Sequence, residues 1–438
     1  MQALPKVSFV ISTRNRCDVL LSTLAQVQRC GLAAEEFDIH VVDNASTDGT
    51  AARVSEQFPA VHLIASNHNG GSVAKNLALP NAHGRYIVFL DDDSYPAPGA
   101  IGRMIRHFED DPKLGAATFT VELPDGSQEC SAYPDVFIGC GVGLRRRALR
   151  LAGRLPDDFF MQAEEYDLSL RLLDGGWKVC RFDDLLVHHL KTPRARISSR
   201  TMRLDVRNNL YLVLRRFPRR WILPYGWDWM RRYAWIAASK GMVGPFICGL
   251  IEGLLRSAVR PKRAAVSEEA FEQFAKVDET KRLLSLSLRE RLGEGGERDS
   301  ALDSHLTLPA PTQPPPAGEG QMRRVLLVDC GKNIHAYWRA CRDLGLTVIA
   351  IADPKLAAPS RRYRGIPIVD DATARSSRYD VAIIANLSPV HAQVRRDAWR
   401  LAQRKPVIDL LELQDERKSL TCGRPAASGS HRTAARSA

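Results

Sequence analysis

The sequence of 438 residues lacks several features that define particular classes of protein. It has no CxxC pair and no internal repeat, and its nine cysteines are spread along the chain. Neither a disulfide framework nor a structural zinc site is therefore indicated, and a reducing compartment fits best. The chain has no uncharged apolar run of about 18 residues, the length of a transmembrane helix. It also lacks the apolar core of a signal peptide at its start, so we expect a cytoplasmic protein, with the inner face of the cell membrane as a peripheral location.

Composition and charge narrow the choice of partner. The chain is 45% hydrophobic and 26% charged, which excludes a fibrous or wholly disordered protein. Its 62 Lys and Arg exceed its 50 Asp and Glu, giving a net charge of +12. This excess favours an anionic partner, such as a membrane surface or a phosphate-bearing substrate. No DNA- or RNA-binding signature accompanies the charge, so nucleic acid is not expected.

The first 190 residues alternate short apolar strands with helical stretches. Such a pattern predicts an α/β fold with a mostly parallel sheet and helices on both faces. The predicted strands are Val7–Ser12, Asp38–Asp43, Val61–Ala65 and Tyr86–Leu90.

The pattern changes twice after residue 200. A stretch rich in Trp and Arg is typical either of a membrane interface or of a helical subdomain packed over a catalytic crevice. A second α/β pattern follows, with strands predicted at Val325–Val328, Val348–Ala352 and Val381–Ala385. We therefore expect an α/β domain at 1–200, a helical extension at 201–284, a Gly/Pro-rich linker at 285–321, a smaller α/β domain at 322–415 and a disordered basic tail at 416–438.

Acidic residues follow the predicted strands of the first domain. The carboxyl ends of the strands in an open α/β sheet line a ligand crevice. Three adjacent carboxylates repel one another unless a cation or hydrogen-bond donors hold them, and such oxygens suit Mg²⁺ or Mn²⁺. The alternatives are a solvated acidic turn, an Asx turn and a well-charged helix start. The residues concerned are Asp43, Asp91, Asp92, Asp93, Glu164, Glu165 and Asp167.

A glycine-containing segment lies between these acids. Asn69 and Gly70 precede a predicted helix, and Lys75 lies one turn into it. This arrangement suits an anion near a helix N-terminus, although Gly-Gly also marks any tight loop. We interpret the segment as part of a donor-binding site.

Seven segments in order resemble the glycosyltransferases of family 2, which have the GT-A fold. They are VSFVISTRNR, VVDNASTDGT, NHNGGSVAKNLAL, GRYIVFLDDDSYP, GCGVGLRRRAL, FFMQAEEYDLSLRLLDGGWKV and VHHLKT. A looser feature of the same kind, Arg207-Asn208-Asn209-Leu210-Tyr211, follows in a helix. The resemblance covers roughly residues 5–200.

The resemblance implies an inverting, metal-dependent transfer of sugar from a nucleotide-sugar donor to an acceptor hydroxyl. The acceptor would be a glycan or lipid-linked molecule in the synthesis of cell-surface polysaccharide, lipopolysaccharide or glycolipid. The alternatives are a sugar-phosphate nucleotidyltransferase, which would need a glycine-rich loop near its start, and a non-catalytic nucleotide-sugar-binding scaffold.

The same resemblance assigns roles to individual residues. The catalytic base would be Glu165, where the family often has Asp, with Glu164 and Asp167 beside it. Lys75 stands where Arg is commoner. The implied nucleoside contacts are Thr13, Arg14 and Asp43, the residues near the ribose and metal are Asp91 and Asp92, and the metal ligands are Asp93 and one of His188 and His189.

Residues 323–413 resemble the nucleotide-binding half of Rossmann-type dehydrogenases. Gly331 matches the middle glycine of the phosphate-binding fingerprint, and Asp353 matches the ribose-binding acid. Asp329 and Ile334 occupy the other two glycine positions, which argues against a bound dinucleotide. We expect a degenerate module for docking or for forming a homo-oligomer.

Overall fold

An apolar run near the start of the chain forms β1 (Val7–Thr13), whose side chains are almost all buried. This is the pattern of a central parallel strand covered on both faces. The structure, a computed structural model, describes residues 4–191, 198–259, 263–291, 324–402 and 405–412.

The first sheet has nine strands in the order β3-β2-β1-β4-β8-β6-β9-β5, with β7 beside β6. After β1 these strands are β2 (Phe37–Asn44), β3 (His62–Ser66), β4 (Tyr86–Asp91), β5 (Ser94–Pro96), β6 (Leu114–Glu122), β7 (Gln128–Glu129), β8 (Gly141–Arg145) and β9 (Lys178–His189). The helices beside them are α1 (Cys17–Val27), α2 (Thr50–Gln57), α3 (Ala100–Asp110), α4 (Arg146–Ala152) and α5 (Glu164–Asp174).

The predicted α/β fold is confirmed, but the sheet is less parallel than expected. Strands β3, β2, β1 and β4 run parallel to one another, as predicted. Strand β8 runs antiparallel to both β4 and β6, and β5 runs antiparallel to β9. The sequence of β8 (GVGLR) contains two glycines and that of β9 is interrupted by charges, so neither has the apolar run of a buried strand.

Five helices follow the first sheet in the described part of the chain, and an aromatic core lies between the second and the fourth of them. Trp221 and Trp229 are buried in this core, where they contact Tyr225 and Phe271. These tryptophans therefore serve packing, as the helical-subdomain interpretation of the stretch requires. The helices are α6 (Ser198–Arg216), α7 (Arg219–Ser239), α8 (Val243–Val259), α9 (Glu268–Ala275) and α10 (Val277–Arg291).

One face of α8 is different, because its large apolar side chains point outward. Ile247, Ile251 and Leu255 are each about half exposed. None of the helices within the described ranges combines the length and the hydropathy that a membrane crossing requires.

The second sheet has the strand order β12-β13-β11-β10-β14-β15. Its five parallel strands lie in the order of a doubly wound α/β sheet, which agrees with the predicted second α/β unit. Its elements are β10 (Arg324–Val328), α11 (Ile334–Asp343), β11 (Thr347–Ala352), β12 (Arg362–Tyr363), β13 (Ile366–Val369), α12 (Asp371–Ser376), β14 (Val381–Ile384), α13 (Pro389–Ala402) and β15 (Val407–Ile408).

The predicted domain boundaries stay predictions. At the start of the predicted linker, the structure has a helix instead. Helix α10 continues to Arg291, into the segment predicted as linker, because its Leu residues keep a helical spacing. The rest of that linker and the predicted tail at 416–438 lie outside the described residues.

The loop after β10 docks against the helical extension. The backbone carbonyl of Lys332 accepts hydrogen bonds from Trp229 Nε1 (2.8 Å) and from the Tyr133 hydroxyl (3.2 Å). The carbonyl of Cys330 accepts one from Arg232 Nε (3.0 Å). The carboxyl edge of the second sheet, where a doubly wound domain binds its ligand, therefore faces the first part of the chain.

The loop also uses the acid that matched a ribose-binding residue. The carboxylate of Asp353 accepts hydrogen bonds from the backbone of Cys330 (3.0 Å), Lys355 (3.0 Å) and Leu356 (3.1 Å). Asp329 pairs with Arg395 at 2.9 Å. Both acids thus stabilise the fold of this loop.

Candidate active site

The triple aspartate at the end of β4 is held by donors from the end of β1. Asp92 accepts a hydrogen bond from Thr13 (2.7 Å), and Arg16 lies 2.8 Å from Asp92 and 2.7 Å from Asp93. Burial raises the pKa of Asp92 to about 7, although Arg16 opposes this shift. The guanidinium therefore relieves the repulsion that adjacent carboxylates would otherwise suffer.

His189 faces the aspartates from the end of β9. Its Nε2 lies 3.2 Å from Asp93 and its Nδ1 lies 3.3 Å from Glu129. Burial would lower the pKa of His189, but hydrogen bonding to Asp93 and Glu129 raises it to about 12. The structure does not bring His188 into this group, because alternate residues of a strand face opposite sides and His188 lies against Glu122 (3.3 Å).

Three ligand atoms at this position lie within 4.8 Å of one another. They belong to Asp91, Cys140 and His189. Asp91 is 40% exposed, whereas Asp93 is 1% exposed and its carboxylate lies against His189. The aspartate oxygens and the imidazole are compatible with a divalent metal ion. Cys140 is a weaker ligand, since burial raises the pKa of its thiol and favours the neutral form.

Lys75 joins the aspartates to the opposite wall of the crevice. Its Nζ donates to Asp91 (2.8 Å) and to the carbonyl of Gly139 (3.2 Å), and its side chain is 2% exposed. Lys75 is thus buried and paired within the protein, and its predicted contact with a donor phosphate stays a prediction. The segment forms a 3₁₀ helix, and the side chain of Lys75 reaches back across the sheet edge.

Asn69 and Gly70 also make contacts within the loop. The Asn69 side chain accepts a hydrogen bond from Gly71 N (3.0 Å), and Gly70 N donates to Asn44 (3.1 Å). These contacts fix the loop beside the end of β2. The predicted contact of Asn69 and Gly70 with the donor stays a prediction.

Glu164 and Glu165 begin α5 on the far side of Lys75. A Cβ added at Gly139 would lie 3.2 Å from Oε1 of Glu165, a tight contact, so Gly139 lies directly against this carboxylate. Burial and the neighbouring Glu164 raise the pKa of Glu165 to about 8. The Glu164 carboxylate accepts a hydrogen bond from Ser72. The triple aspartate and the glutamate pair therefore share one crevice.

The loop that leads into α5 has an unusual backbone. Phe160, Gln162 and Ala163 have φ values of 67°, 74° and 66°, in the left-handed region that costs side-chain-bearing residues about 1 kcal/mol or more each. Gly71 approaches this loop so closely that a Cβ there would lie 2.3 Å from the carbonyl oxygen of Phe160. The glycine noted in the sequence is thus required by this contact.

Two residues of α6 hold the strained loop in place. The amide of Asn208 lies within 2.9 Å of the carbonyl oxygens of Phe159, Met161 and Gln162, and it has two protons to share among them. Arg207 donates to the carbonyl of Phe159 at 2.6 Å. The helical extension therefore sets the position of the first turn of α5.

The third residue of that motif, Asn209, contacts the second α/β unit. Its Oδ1 accepts a hydrogen bond from Lys332 Nζ at 2.9 Å. The ammonium lies 4.6 Å from the ring centre of Tyr166, 5.0 Å from that of Trp229 and 5.5 Å from that of Tyr233. Burial lowers the pKa of Lys332 to about 8, although Asp205 opposes this shift. A cation from the second sheet thus lies beside the residue that follows Glu165.

Three other predicted residues have different surroundings. Asp167 is fully buried and pairs with Arg216 (2.6 Å) and Arg171 (2.7 Å), so the structure does not bring it into the crevice. Asp43 is buried at the end of β2, where it accepts a hydrogen bond from Ser46 N (3.2 Å). Arg14 is exposed at the end of β1.

Sequence reasoning missed several residues of this crevice. Arg16 comes three residues after Thr13 at the end of β1, and this position could have indicated that it lies in the crevice. Nothing local marks Cys140, Glu129 or Lys332, because their partners are distant in the chain.

Residues 8–153 match the family described as Glycosyl transferase family 2. This part of the chain is a family 2 glycosyltransferase domain, which confirms the predicted resemblance over these residues. The segments FFMQAEEYDLSLRLLDGGWKV and VHHLKT lie beyond the match.

Among curated proteins, the chain is similar to the poly-beta-1,6-N-acetyl-D-glucosamine synthase of Staphylococcus aureus (strain MSSA476). The two are 26% identical over 150 residues, which is 34% of this chain and 36% of the relative. It is also 30% identical over 114 residues to the uncharacterized glycosyltransferase YfnE of Bacillus subtilis (strain 168), covering 25% of this chain and 28% of that protein. The chain thus spans about a third of the length of these relatives.

Two solved structures also resemble the chain in part. The mannosyltransferase PcManGT from Pyrobaculum calidifontis, in complex with GDP-Man and Mn²⁺, has a TM-score of 0.42 at 20% identity and covers 66% of this chain and 83% of its own. Residues 1–349 of S. aureus TarS, in complex with UDP-GlcNAc, have a TM-score of 0.40 at 17% identity and cover 48% and 66%.

We expect Asn208→Ala to loosen the loop before α5. The substitution removes the shared amide donor and leaves buried carbonyl groups with fewer partners, at a cost of about 2 kcal/mol. Urea unfolding at equilibrium measures this loss. The exposed Asn81→Ala is the control and should change the free energy of unfolding by less than about 0.5 kcal/mol. Equal losses of unfolding free energy in the two variants would contradict the role of Asn208 in holding this loop.

We expect His189→Ala to weaken the binding of a nucleotide sugar in the presence of Mn²⁺ by about tenfold or more. The reason is that His189 faces Asp93 and lies within reach of Asp91. His188→Ala removes the adjacent imidazole on the other side of the strand and should change the affinity less than twofold. Calorimetry with and without Mn²⁺ checks both values, and similar losses in both variants would contradict the assignment.

Proposed function

We propose that this chain is an inverting glycosyltransferase that moves a sugar from a nucleotide-sugar donor to an acceptor hydroxyl. The observation that carries the proposal is the bridge made by Lys75. It joins Asp91 to the carbonyl of Gly139, beside which the carboxylate of Glu165 lies. A group of acids suited to a cation and a buried carboxylate suited to proton transfer therefore line the same crevice.

In the proposed reaction, Glu165 takes the proton of the acceptor hydroxyl as its oxygen attacks the anomeric carbon. A new carbon–oxygen bond forms on one face of the sugar, and the bond to the diphosphate breaks on the other face. This geometry inverts the anomeric centre and needs only one catalytic carboxylate. Ser72 and Gly139 position the glutamate pair for this role.

The diphosphate leaves with growing negative charge. Asp91, Asp93 and His189 would hold a divalent cation at this point, with Arg16 beside them. Mg²⁺ or Mn²⁺ supplies compensation for that charge when bound. Both are proposed because carboxylate oxygens suit either ion.

The ends of β1 and β2 form the proposed nucleoside site. Thr13 and Asp43 are paired in register at these strand ends, and Arg14 is exposed beside them. Asn69 and Gly70 border the same edge through Asn44. Our proposed donor contacts are Thr13, Arg14, Asp43, Asn69, Gly70 and Asp92.

The proposed pathway is the synthesis of a cell-surface polysaccharide, lipopolysaccharide or glycolipid. The name of the S. aureus relative, a polysaccharide synthase, supports this choice. The outward face of α8, with half-exposed Ile247, Ile251 and Leu255, supports peripheral contact with the membrane by a protein of net charge +12. A lipid-linked acceptor would be presented at such a surface.

Glu165→Gln should abolish transfer while donor binding persists, because the amide keeps the shape and loses the base. We expect kcat to fall at least about 100-fold and the donor Kd to change less than threefold. Transfer assays and calorimetry give the two values. Glu109→Gln on the exposed side of α3 is the matched control. Near-normal turnover by Glu165→Gln would refute the assigned role.

The pH dependence of kcat/KM should report the ionisation of Glu165. A base acts in its ionised form, and its pKa is raised to about 8, so the rate should fall about tenfold per unit as the pH drops below 8. Glu164→Gln removes the neighbouring negative charge and lowers the pKa of Glu165. The fall should therefore move to lower pH in that variant. An unchanged profile would show that Glu165 does not control the rate.

A further inference from the structure

A second group of metal-ligating side chains lies at the other end of the first sheet. Asp38 and His40 are two residues apart in β2 and so point to the same face. His62 in β3 is the register partner of His40. One ligand atom from each of these three residues lies within 4.8 Å of the others.

This group is separate from the candidate active site. The crevice uses Asp43 and Asn44 at the carboxyl end of β2, whereas Asp38 is near the amino end. Asp43 lies five residues beyond Asp38 along the extended strand, a distance of about 16 Å. No residue of the group contributes to the proposed transfer reaction.

One polar atom of the group is deeply buried and has no hydrogen-bond partner in the described part of the chain. It is Nδ1 of His40, a side chain that is 1% exposed. His40 Nε2 lies 3.1 Å from the other oxygen of Asp38, and the rings of His40 and His62 stack at 4.8 Å. Buried polar atoms in proteins nearly always have a partner, so such orphans point to a missing one.

We propose that Asp38, His40 and His62 bind one Zn²⁺ ion. Two imidazoles and one carboxylate are a ligand set that zinc prefers, with water as the fourth ligand at an open position. His62 is exposed, which gives the ion a path to the site. Mg²⁺ prefers oxygen ligands and would not compete well here.

The ion would join an edge strand to the interior of the sheet. β3 is the terminal strand of the nine, and its side chains are only partly buried. Within the sheet this five-residue edge strand pairs with β2 alone, and it has little buried surface. A ligand from each strand on one metal would stabilise that pairing, so the proposed role is structural.

The test is the number of zinc ions bound in the presence of excess Mg²⁺, measured by equilibrium dialysis. His62→Gln should bind one equivalent fewer than the unaltered protein, and the exposed position of His62 makes this variant easy to fold. His107→Gln is the matched control, because His107 pairs with Asp184 (2.9 Å) in a group that offers no second histidine. Asp91→Asn should keep the extra equivalent, which separates this site from the proposed catalytic one.

Zinc should also raise the melting temperature of the unaltered protein by a few degrees, about 5 °C at 100 times Kd, and that of His62→Gln much less. Transfer activity should be the same in both. Equal zinc stoichiometry in the unaltered protein and His62→Gln would overturn the proposal. So would a zinc-induced rise in melting temperature that His62→Gln retains in full.

Discussion

The candidate active site depends on a short loop whose backbone is unfavourable by itself. Three residues between Phe160 and Ala163 adopt left-handed angles that cost free energy, and they do so immediately before Glu164 and Glu165. Asn208 and Arg207 offset this cost by satisfying the loop carbonyls. Without that clamp the first turn of α5 would have no fixed direction, and the carboxylates would not face the aspartates across Lys75.

Charge balance within the crevice follows from the same arrangement. Each aspartate of the triple has a cationic or imidazole partner. Lys75 contacts Asp91, Arg16 contacts both Asp92 and Asp93, and His189 contacts Asp93. Glu165 has no such direct cation among the contacts described, and burial raises its pKa to about 8. Hydrogen bonds from His189 and Arg16 outweigh burial and lower the pKa of Asp93, so Asp93 and Glu165 differ in how readily they hold a proton, as acid–base catalysis requires.

The parts of the fold that sequence patterns could predict are those set by local residues. The first four strands were predicted to within one residue at each end, because apolar runs are read directly from neighbours in the chain. Strand β8 was missed, since its glycines hide it. The position of the acidic residues at the ends of strands was also predictable. That Lys75 binds Asp91 was not, because a buried lysine and a free one have the same local sequence.

Contacts between distant parts of the chain were beyond any local pattern. Arg207 and Asn208 were noted in the sequence, but their role as a clamp needs the loop they hold. Lys332 pairs with Asn209, 123 residues earlier, and no spacing or motif joins the two. The comparison with the dinucleotide-binding fingerprint treated Asp329 and Asp353 as positions near a ligand. In the structure Asp329 pairs with Arg395, and Asp353 accepts a hydrogen bond from the backbone of Cys330.

The lysine carried by the second sheet has an architectural consequence. Its ammonium sits among Tyr166, Trp229 and Tyr233, and its carbonyl is held by Trp229 and Tyr133. The wall next to the proposed base is consequently composite, completed only when the second sheet, which begins at Arg324, folds and docks. A nascent polypeptide released from the ribosome before that stage would contain every acid of the crevice but would lack this part of its wall.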